Sequence, residues 1–312
     1  METTKVPKVV VVGSLVYDLV ARVDRRPVKG ETRLGTDFGM FPGGKGANQA
    51  VQAAKMGAKV WMVGRVGADF FGQELIQSLQ GHGVDTEYVT VDLSTTTAVG
   101  CITVDETGDN SIVVVPQANM KVTIKDVDDA EWIISQAEVL LLQLEIPLDV
   151  VAHAAKLASR LGCRVVLNPA PATQVRADLL QYVDVLTPNE SELGALLGKD
   201  LTELGEFTSA ARELLLCGPD AVIVTLGDKG ALLVTPEIET LVPAFLVEAV
   251  DTTAAGDAFT GTLAVCLAEG RSLLEAIIFA NAAGGLAATR RGAQPSLADR
   301  QEIQQLSDER IK

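Results

Sequence analysis

The sequence predicts an α/β fold: a doubly wound, mostly parallel sheet with helices on both faces. Two observations predict it. Short apolar runs such as KVVVVG, VLLLQLE, RVVLNPAPA and AVIVTLG alternate with longer amphipathic stretches such as LDVVAHAAKLASRLG. The apolar runs are also continuous, as expected of strands buried on both faces. Crossovers between such strands are right-handed, and ligands bind at the carboxyl ends of the strands, so the polar motifs that follow them are the candidate site.

Two stretches, residues 15–42 and 95–120, interrupt this alternation. They contain LVARV, TRLGTDFGM, TAVGCITVD and NSIVVVPQA, which alternate like half-exposed strands with no helix between them. We expect them to form a second, small sheet that acts as a discontinuous lid on one domain spanning residues 1–312. An exposed face on that sheet would favour a homodimer formed through the lid.

Composition limits the partners of the chain. Its 312 residues carry a formal net charge of −15, which repels nucleic acid and anionic membrane. A phosphate-bearing ligand must therefore be held by local N–H groups, a few cations and a metal. No apolar run approaches the roughly 18 to 20 residues that span a bilayer, and the first residues show no cleavable signal pattern. We expect a cytoplasmic protein that acts on a small molecule.

The segment DTTAAGDAFTG is the strongest candidate for chemistry. Its small residues Ala254, Ala255 and Gly256 lead into an apolar helix that Gly270 can end. N–H groups at the start of such a helix can face a phosphate. Asp257 would then lie beside the transferred phosphoryl group and accept the proton of the attacking hydroxyl. The alternative is that Asp257 only caps or charges the helix start.

DTTAAGDAF and GGKGANQA resemble the two signatures of the ribokinase-like (PfkB) carbohydrate kinases. The likeness continues through LLQLEIP, NPAPA, TPNESE, TLGDKG and TRRGAQPS and covers essentially the whole chain. It implies a ribokinase-like fold, ATP as phosphoryl donor, Mg²⁺, a K⁺ activator, and Asp257 as base beside an anion hole at Gly256. It favours the 5-hydroxyl of D-ribose as acceptor. Deoxyribose, another small sugar or a nucleoside is the alternative, and a non-catalytic sugar-binding regulator is a third hypothesis.

The resemblance also implies a sugar site. Carboxylates suit such a site because each can accept hydrogen bonds from neighbouring hydroxyls. The family often carries Asn where this chain has Val16, and this difference weakens the case for ribose specifically. The implied sugar-binding residues are Asp18, Gly43, Gly44, Lys45, Asn48, Glu145 and Asp257. Without the family pattern, Asp18 and Glu145 would equally be strand-end carboxylates in solvent.

For the nucleotide and its metal, the resemblance assigns an N-x-x-E pattern, Asn189 and Glu192, to Mg²⁺ bound through water. Glu190 is explained by the helix dipole instead. The segment AVIVTLGDKGALLV predicts a β-hairpin. The implied ATP-binding residues are Asn189, Thr225, Gly227, Asp228, Gly230, Gly256 and Asn281. An equal alternative places Asn281 on a helix surface.

The K⁺ site implied by the resemblance lies behind the anion hole, where oxygen-only ligation suits this ion. Its candidate ligands are Asp251, Thr253, Ala288, Arg291, Ala293 and Ser296.

Two other nucleotide motifs are disfavoured. Residues 39–45 match G-x-x-x-x-G-K, but Gly46 stands where a P-loop needs Ser or Thr to bind Mg²⁺. The first apolar run is followed by GSLVYD rather than by G-x-G-x-x-G, which disfavours a nicotinamide enzyme.

Overall fold

The structure is a computed structural model that describes residues 5–173, 175 and 177–311. The strands are β1 (Lys8–Val12), β2 (Val16–Arg22), β3 (Asp37–Gly43), β4 (Lys59–Gly67), β5 (Val84–Asp85), β6 (Val89–Asp92), β7 (Ala98–Val104), β8 (Asn110–Val115), β9 (Val139–Leu142), β10 (Arg164–Leu167), β11 (Val185–Leu186), β12 (Ala221–Thr225), β13 (Ala231–Val234) and β14 (Glu239–Val242). The helices are α1 (Lys45–Lys55), α2 (Phe70–Gly81), α3 (Ile124–Asp129), α4 (Glu131–Gln136), α5 (Leu148–Leu161), α6 (Ala177–Leu180), α7 (Glu190–Leu197), α8 (Leu204–Leu215), α9 (Ala255–Ala268), α10 (Leu273–Ala288) and α11 (Arg300–Ile311). The 3₁₀ turns within the described ranges span Gln117–Lys121, Gly227–Lys229 and Gln294–Ser296.

The large sheet has the strand order β14-β13-β12-β11-β10-β9-β1-β4-β5, with β6 also paired to β4. Every pairing from β12 through β1 to β5 is parallel, whereas β12, β13 and β14 pair antiparallel. The predicted mostly parallel sheet is confirmed. The predicted hairpin is also confirmed, since β12 and β13 are joined by the turn Gly227–Lys229.

Strand β1 shows why both faces carry helices. Its alternate residues Val9 and Val11 belong to one hydrophobic core, built with α1, α2, α9 and α10. Val10 and Val12 belong to a second core on the opposite face, built with α5 and α8. All four valines are fully buried. Because successive side chains of a strand point to opposite faces, a continuous Val run is what two cores require.

The small sheet has the order β3-β2-β7-β8. Strand β2 lies between an antiparallel neighbour, β3, and a parallel neighbour, β7. The predicted second sheet is thus confirmed, while its action as the lid of a single domain stays a prediction. Strand β8 forms one edge and is exposed along its whole length.

The two sheets meet where β1 ends and β2 begins. Asn119, which is buried, accepts a hydrogen bond from the Leu15 N–H and donates one to the Leu15 carbonyl. Residues 37–43 are a strand rather than a phosphate-binding loop, so the P-loop hypothesis is excluded. No helix in the described ranges has the length and apolarity needed to cross a membrane.

Candidate active site

Asp257 lies in the first turn of α9, at the carboxyl edge of the large sheet, and its side chain is buried. Its Oδ2 accepts a hydrogen bond of 2.9 Å from Asn48 Nδ2, and its Oδ1 accepts one of 3.0 Å from Gln49 Nε2. Both amides belong to α1, the helix that begins within GGKGANQA. Tertiary packing therefore joins the two signature segments at one carboxylate.

Helix α9 begins in a way that exposes its N–H groups. Ala254 precedes the helix in the left-handed conformation, with φ 60° and ψ 8°. The Ala255 N–H turns back to the Thr252 carbonyl at 3.2 Å. Gly256 and Asp257 supply first-turn N–H groups, which a helix leaves without internal acceptors. This geometry suits an anion beside Gly256.

A polar cavity of about 200 Å³ opens at this point. Among the residues predicted from sequence, it is lined by Lys45, Asn189, Glu192, Thr225, Ala254, Gly256 and Asp257. Residues that sequence reasoning did not assign to the site complete its wall: Asn168, Ala170, Thr187, Thr252 and Thr260. The cavity brings the predicted base, the anion hole and the predicted Mg²⁺ residues together.

Asp18 lies on β2, between two glycines of the neighbouring strands. A Cβ on Gly43 would come within 2.4 Å of Asp18 Oδ2, and one on Gly100 within 2.3 Å of Asp18 Oδ1. Any larger residue at either position would collide with the carboxylate. Sequence reasoning selected Gly43 but missed Gly100, because nothing in TAVGCITVD shows which strand pairs with β2.

The charges of this site influence one another. Burial raises the pKa of Asp18 to about 7, with the nearby Glu145 and Asp257 carboxylates adding to the effect. Burial alone would lower the pKa of Lys45. The carboxylates of Asp257, Glu145 and Glu192 outweigh it, and that pKa is raised. The Lys45 ammonium is therefore the cation that balances this acidic cluster.

Glu145 is tied to the start of α1. Its carboxylate accepts hydrogen bonds from the Ser14 hydroxyl and, at 3.1 Å, from the Lys45 N–H. The Ser14 hydroxyl also accepts from the Gly46 N–H at 3.2 Å. A Cβ on Gly46 would lie 2.6 Å from the Ser14 nitrogen, so Gly46 is required for this close approach. Glu145 is therefore a half-buried carboxylate bound to protein donors rather than one that is free in solvent.

Gly44 precedes α1 with φ 91°, a conformation that favours glycine, and a Cβ there would lie 2.6 Å from the Val16 nitrogen. Asn48 Oδ1 is buried and has no hydrogen-bond partner within the part of the chain that the structure describes. A buried acceptor without a partner is costly. A bound polyol hydroxyl would satisfy it, which agrees with the role predicted for Asn48.

Asn189 and Glu192 form a capping box at the start of α7. Asn189 Oδ1 accepts from the Glu192 N–H at 2.8 Å, and the Glu192 carboxylate accepts from the Asn189 N–H at 2.8 Å and from its Nδ2 at 3.0 Å. Burial raises the pKa of Glu192, although the Asn189 N–H and Lys45 oppose this. With this many donors already bound, the pair suits a hydrated metal better than direct ligation.

The remaining residues of the predicted nucleotide site do not line the cavity. Gly227 and Asp228 lie in the turn after β12, and a Cβ on Gly230 would come within 2.1 Å of the Val242 carbonyl. Asn281 is buried and donates to the carbonyls of Val242, at 3.0 Å, and Pro243, at 3.2 Å. The helix-surface alternative for Asn281 is therefore wrong. Gly230 and Asn281 contact the same segment.

The predicted K⁺ loops are closed by hydrogen bonds. The Asp251 carboxylate accepts from the N–H groups of Thr253, at 2.9 Å, and Gly292, at 3.0 Å. The Ala288 carbonyl accepts from Val250 and Asp251, and the Ala293 carbonyl from both the N–H and the hydroxyl of Ser296. A carbonyl oxygen has two lone pairs. Ala288 and Ala293 therefore do not fit as ligands unless the loops rearrange, whereas Asp251, Thr253, Arg291 and Ser296, whose hydroxyl acts as a donor here, stay candidates.

A series of hydrogen-bonded, buried amides ends at Asp257, and the sequence did not predict it. Gln49 Nε2 donates to Asn168 Oδ1 at 3.1 Å, and Gln143 Nε2 donates to Gln49 Oε1 at 2.6 Å. Each residue lies inside a motif quoted above, GGKGANQA, NPAPA or LLQLEIP. These residues could have been predicted from the sequence, because each is a polar residue within or directly after an element that is expected to be buried.

A polar cavity at the carboxyl ends of parallel strands, with a buried carboxylate beside first-turn N–H groups, has the features expected of a phosphotransferase that acts on a small hydroxyl compound. A family model described as pfkB family carbohydrate kinase matches residues 6–300. The chain therefore belongs to this family and is an ATP-dependent carbohydrate kinase, as its two signatures predicted.

Individual relatives agree with this family. The ribokinase of Bacillus subtilis (strain 168) is 40% identical over 296 residues, which cover 95% of this chain and 98% of that protein. The deoxyribokinase of Salmonella typhi is 40% identical over 259 residues, covering 82% and 84%. The structure of Arabidopsis thaliana ribokinase complexed with ribose and ATP matches with a TM-score of 0.90 at 34% identity, covering 97% of this chain and 99% of that one. The ribokinase-like fold is thus confirmed.

Proposed function

We propose that this kinase transfers the γ-phosphoryl group of ATP to the 5-hydroxyl of D-ribose, with Asp257 as the general base. The observation that carries the proposal is the Asn48–Asp257 hydrogen bond of 2.9 Å, which couples the predicted sugar site to the predicted base. The relatives named ribokinase support the choice of ribose. A carboxylate so placed accepts the hydroxyl proton as the oxygen attacks phosphorus.

The other sugar hydroxyls have acceptors nearby. The Asp18 carboxylate is held between Gly43 and Gly100, and the Asn48 oxygen has no hydrogen-bond partner among the described residues. Ionised carboxylates accept strong hydrogen bonds from hydroxyls and so fix the sugar's orientation. First-turn N–H groups at Gly256 would stabilise the charge that develops on the transferred group.

Deoxyribose is the second candidate, and Val16 favours it. Val16 is buried at the start of β2, and its Cγ1 would lie 3.7 Å from a Cβ on Gly100, the glycine that contacts Asp18. An apolar wall there suits an acceptor that lacks one hydroxyl, because a hydroxyl without a partner is costly to bury. A relative named deoxyribokinase supports this alternative.

An ADP-release assay across ribose, deoxyribose, fructose and adenosine distinguishes the acceptors. We expect ribose to give the highest kcat/KM. A higher value for deoxyribose would favour the second candidate instead, and no turnover with any of the four would contradict the proposal and indicate another small sugar as the acceptor.

Mg²⁺ is the expected partner of the nucleotide phosphates, and Asn189 and Glu192 would hold its waters. When bound, it would neutralise charge on the phosphates. Lys45, whose side chain lines the same cavity, supplies a fixed positive charge. For K⁺, the candidate ligands are Asp251, Thr253, Arg291 and Ser296. Assays in K⁺ and in tetramethylammonium at equal ionic strength test that activation, and equal rates would contradict it.

We also propose a homodimer formed through the small sheet. Strand β8 is an edge strand whose Ile112, Val113 and Val114 are exposed. Unpaired edges with apolar side chains favour pairing with another chain. A Val113→Lys variant should convert a dimer to a monomer in light scattering, whereas Val91→Lys, at an exposed valine of β6, should not. A wild-type monomer would contradict the proposal.

A further inference from the structure

Gln49 is a fully buried amide of α1 that the sugar and nucleotide sites above do not use. It follows Asn48 in sequence, and its Nε2 donates both to Asp257 Oδ1, at 3.0 Å, and to Asn168 Oδ1, at 3.1 Å. Gln49 does not line the cavity, so it can act on the reaction only through the two side chains that it holds, Asp257 and Asn168.

The orientation of the Gln49 amide is fixed by its neighbours. Gln143 Nε2 donates to Gln49 Oε1 at 2.6 Å, so the oxygen and both N–H groups of Gln49 are engaged. A flipped amide would turn its oxygen toward the Asp257 carboxylate and lose all three bonds. The position of the Gln143 side chain in turn requires glycine at residue 13, because a Cβ there would lie 2.1 Å from Gln143 Oε1.

Together the two amides of α1 hold Asp257 in one orientation. Asn48 binds Oδ2 and Gln49 binds Oδ1, which fixes the plane of the carboxylate relative to the start of α9. Proton acceptance in line with phosphoryl transfer depends on such alignment, and a displacement of about 1 Å can cost roughly 100-fold in rate.

We propose that Gln49 is a positioning residue, which sets the Asp257 carboxylate in the orientation required for phosphoryl transfer. This inference rests on the proposed role of Asp257 as the base. Asn48 is expected to contact the sugar as well, so its loss would affect sugar binding. Loss of Gln49 should affect the rate of transfer alone.

Gln52 provides a matched control. It lies one turn later in α1, is also fully buried, and donates from its Nε2 to the Ala298 carbonyl at 3.2 Å, away from Asp257. We would compare Gln49→Met with Gln52→Met, since Met keeps the length and helix preference of Gln. We expect kcat to fall roughly 100-fold for Gln49→Met, with the sugar KM changed less than about 2-fold. Gln52→Met should keep kcat within about 2-fold of the wild type, even if its melting temperature falls as much as that of Gln49→Met.

A double mutant separates positioning from general damage. In an Asp257→Asn background, Gln49→Met should lower the residual kcat no further, because the two residues act as a unit. A full additional loss there, an unchanged kcat for Gln49→Met alone, or an equal loss in Gln52→Met would each overturn the inference. Should Gln49→Met fail to fold, Gln49→Ala takes its place, because the shorter side chain also removes the donor to Asp257 and adds no charge beside that carboxylate.

The same variants distinguish a failure of the proposed base, Asp257, from a failure of the inference about Gln49. If Asp257→Asn retains full turnover, the proposed function fails together with the inference. If Asp257→Asn loses turnover and Gln49→Met does not, the inference alone fails.

Discussion

Asn48 Nδ2 donates a hydrogen bond of 2.9 Å to Asp257 Oδ2, although 209 positions separate the two residues in the chain. The bond joins helix α1, which begins within one signature segment, to helix α9, which begins within the other. A sugar held by Asn48 would therefore lie against the carboxylate proposed to accept its proton.

We expect Asp257→Asn to lower kcat by about 10²- to 10⁴-fold, the usual contribution of a positioned acid or base. The carboxamide keeps the shape of the side chain, so sugar and ATP should still bind with affinities within a few-fold of the wild type. Coupled ADP release measures the first quantity and calorimetric titration the second. Undiminished turnover would contradict the assignment of the base.

Asp18 should make sugar binding depend on pH. Its pKa is raised to about 7, and the ionised carboxylate is the better acceptor for sugar hydroxyls. The sugar KM should therefore decrease between about pH 6 and about pH 8, as Asp18 loses its proton. Initial rates against sugar concentration at each pH measure this. In Asp18→Asn, the sugar KM should be nearly independent of pH, and at about pH 8 it should be higher than that of the wild type. An equal change of KM with pH in the two proteins would assign the effect to another group.

The Asp18 carboxyl should also make stability depend on pH: raising the pH should improve sugar binding but lower the free energy of unfolding. A carboxyl whose pKa is higher in the folded than in the unfolded protein binds a proton more tightly when folded. Its contribution to the free energy of unfolding is therefore complete below the unfolded pKa of about 4 and decreases as pH rises to about 7. Urea unfolding at several pH values should show Asp18→Asn to be less sensitive to pH over this range than the wild type. A parallel pH dependence in the two proteins would refute this.

Glu192 and Glu275 are matched carboxylates, since each occupies the third position of a capping box, at α7 and α10 respectively. Only Glu192 lines the active-site cavity. Glu192→Gln should raise the Mg²⁺ concentration needed for half-maximal activity by roughly 10-fold or more, because supporting residues of metal sites commonly contribute this much. Glu275→Gln should leave it unchanged. Titration of Mg²⁺ at saturating ATP compares them, and equal requirements would count against the metal assignment.

Gly100→Ala should weaken sugar binding without changing the base. The added methyl would come within 2.3 Å of Asp18 Oδ1 and displace that carboxylate. We expect the sugar KM to rise roughly 10-fold or more, since overpacking of a tight site commonly costs about 1–3 kcal/mol. Gly205→Ala, at a helical glycine with free space around it, serves as control. An unchanged KM in Gly100→Ala would show that Asp18 does not contact the sugar.

The sequence by itself determined the fold class and the chemistry. Runs such as KVVVVG can satisfy two hydrophobic faces only in a covered, mostly parallel sheet, and such a sheet places its polar strand ends along one edge. Small residues before Asp257 predicted a helix start open to an anion. These features are local, so a linear pattern records them.

Tertiary structure decided what depends on distant packing. Gly100 becomes part of the Asp18 site only because β7 pairs with β2, and Gln49 reaches Asp257 only because α1 packs against α9. Asn281, which the sequence left between a nucleotide site and a helix surface, is buried and donates to the carbonyls of Val242, the last residue of β14, and Pro243. A sequence pattern specifies the period of a helix or strand, but it does not specify which elements pack together. Partners that arise from strand order and helix packing were therefore visible only in three dimensions.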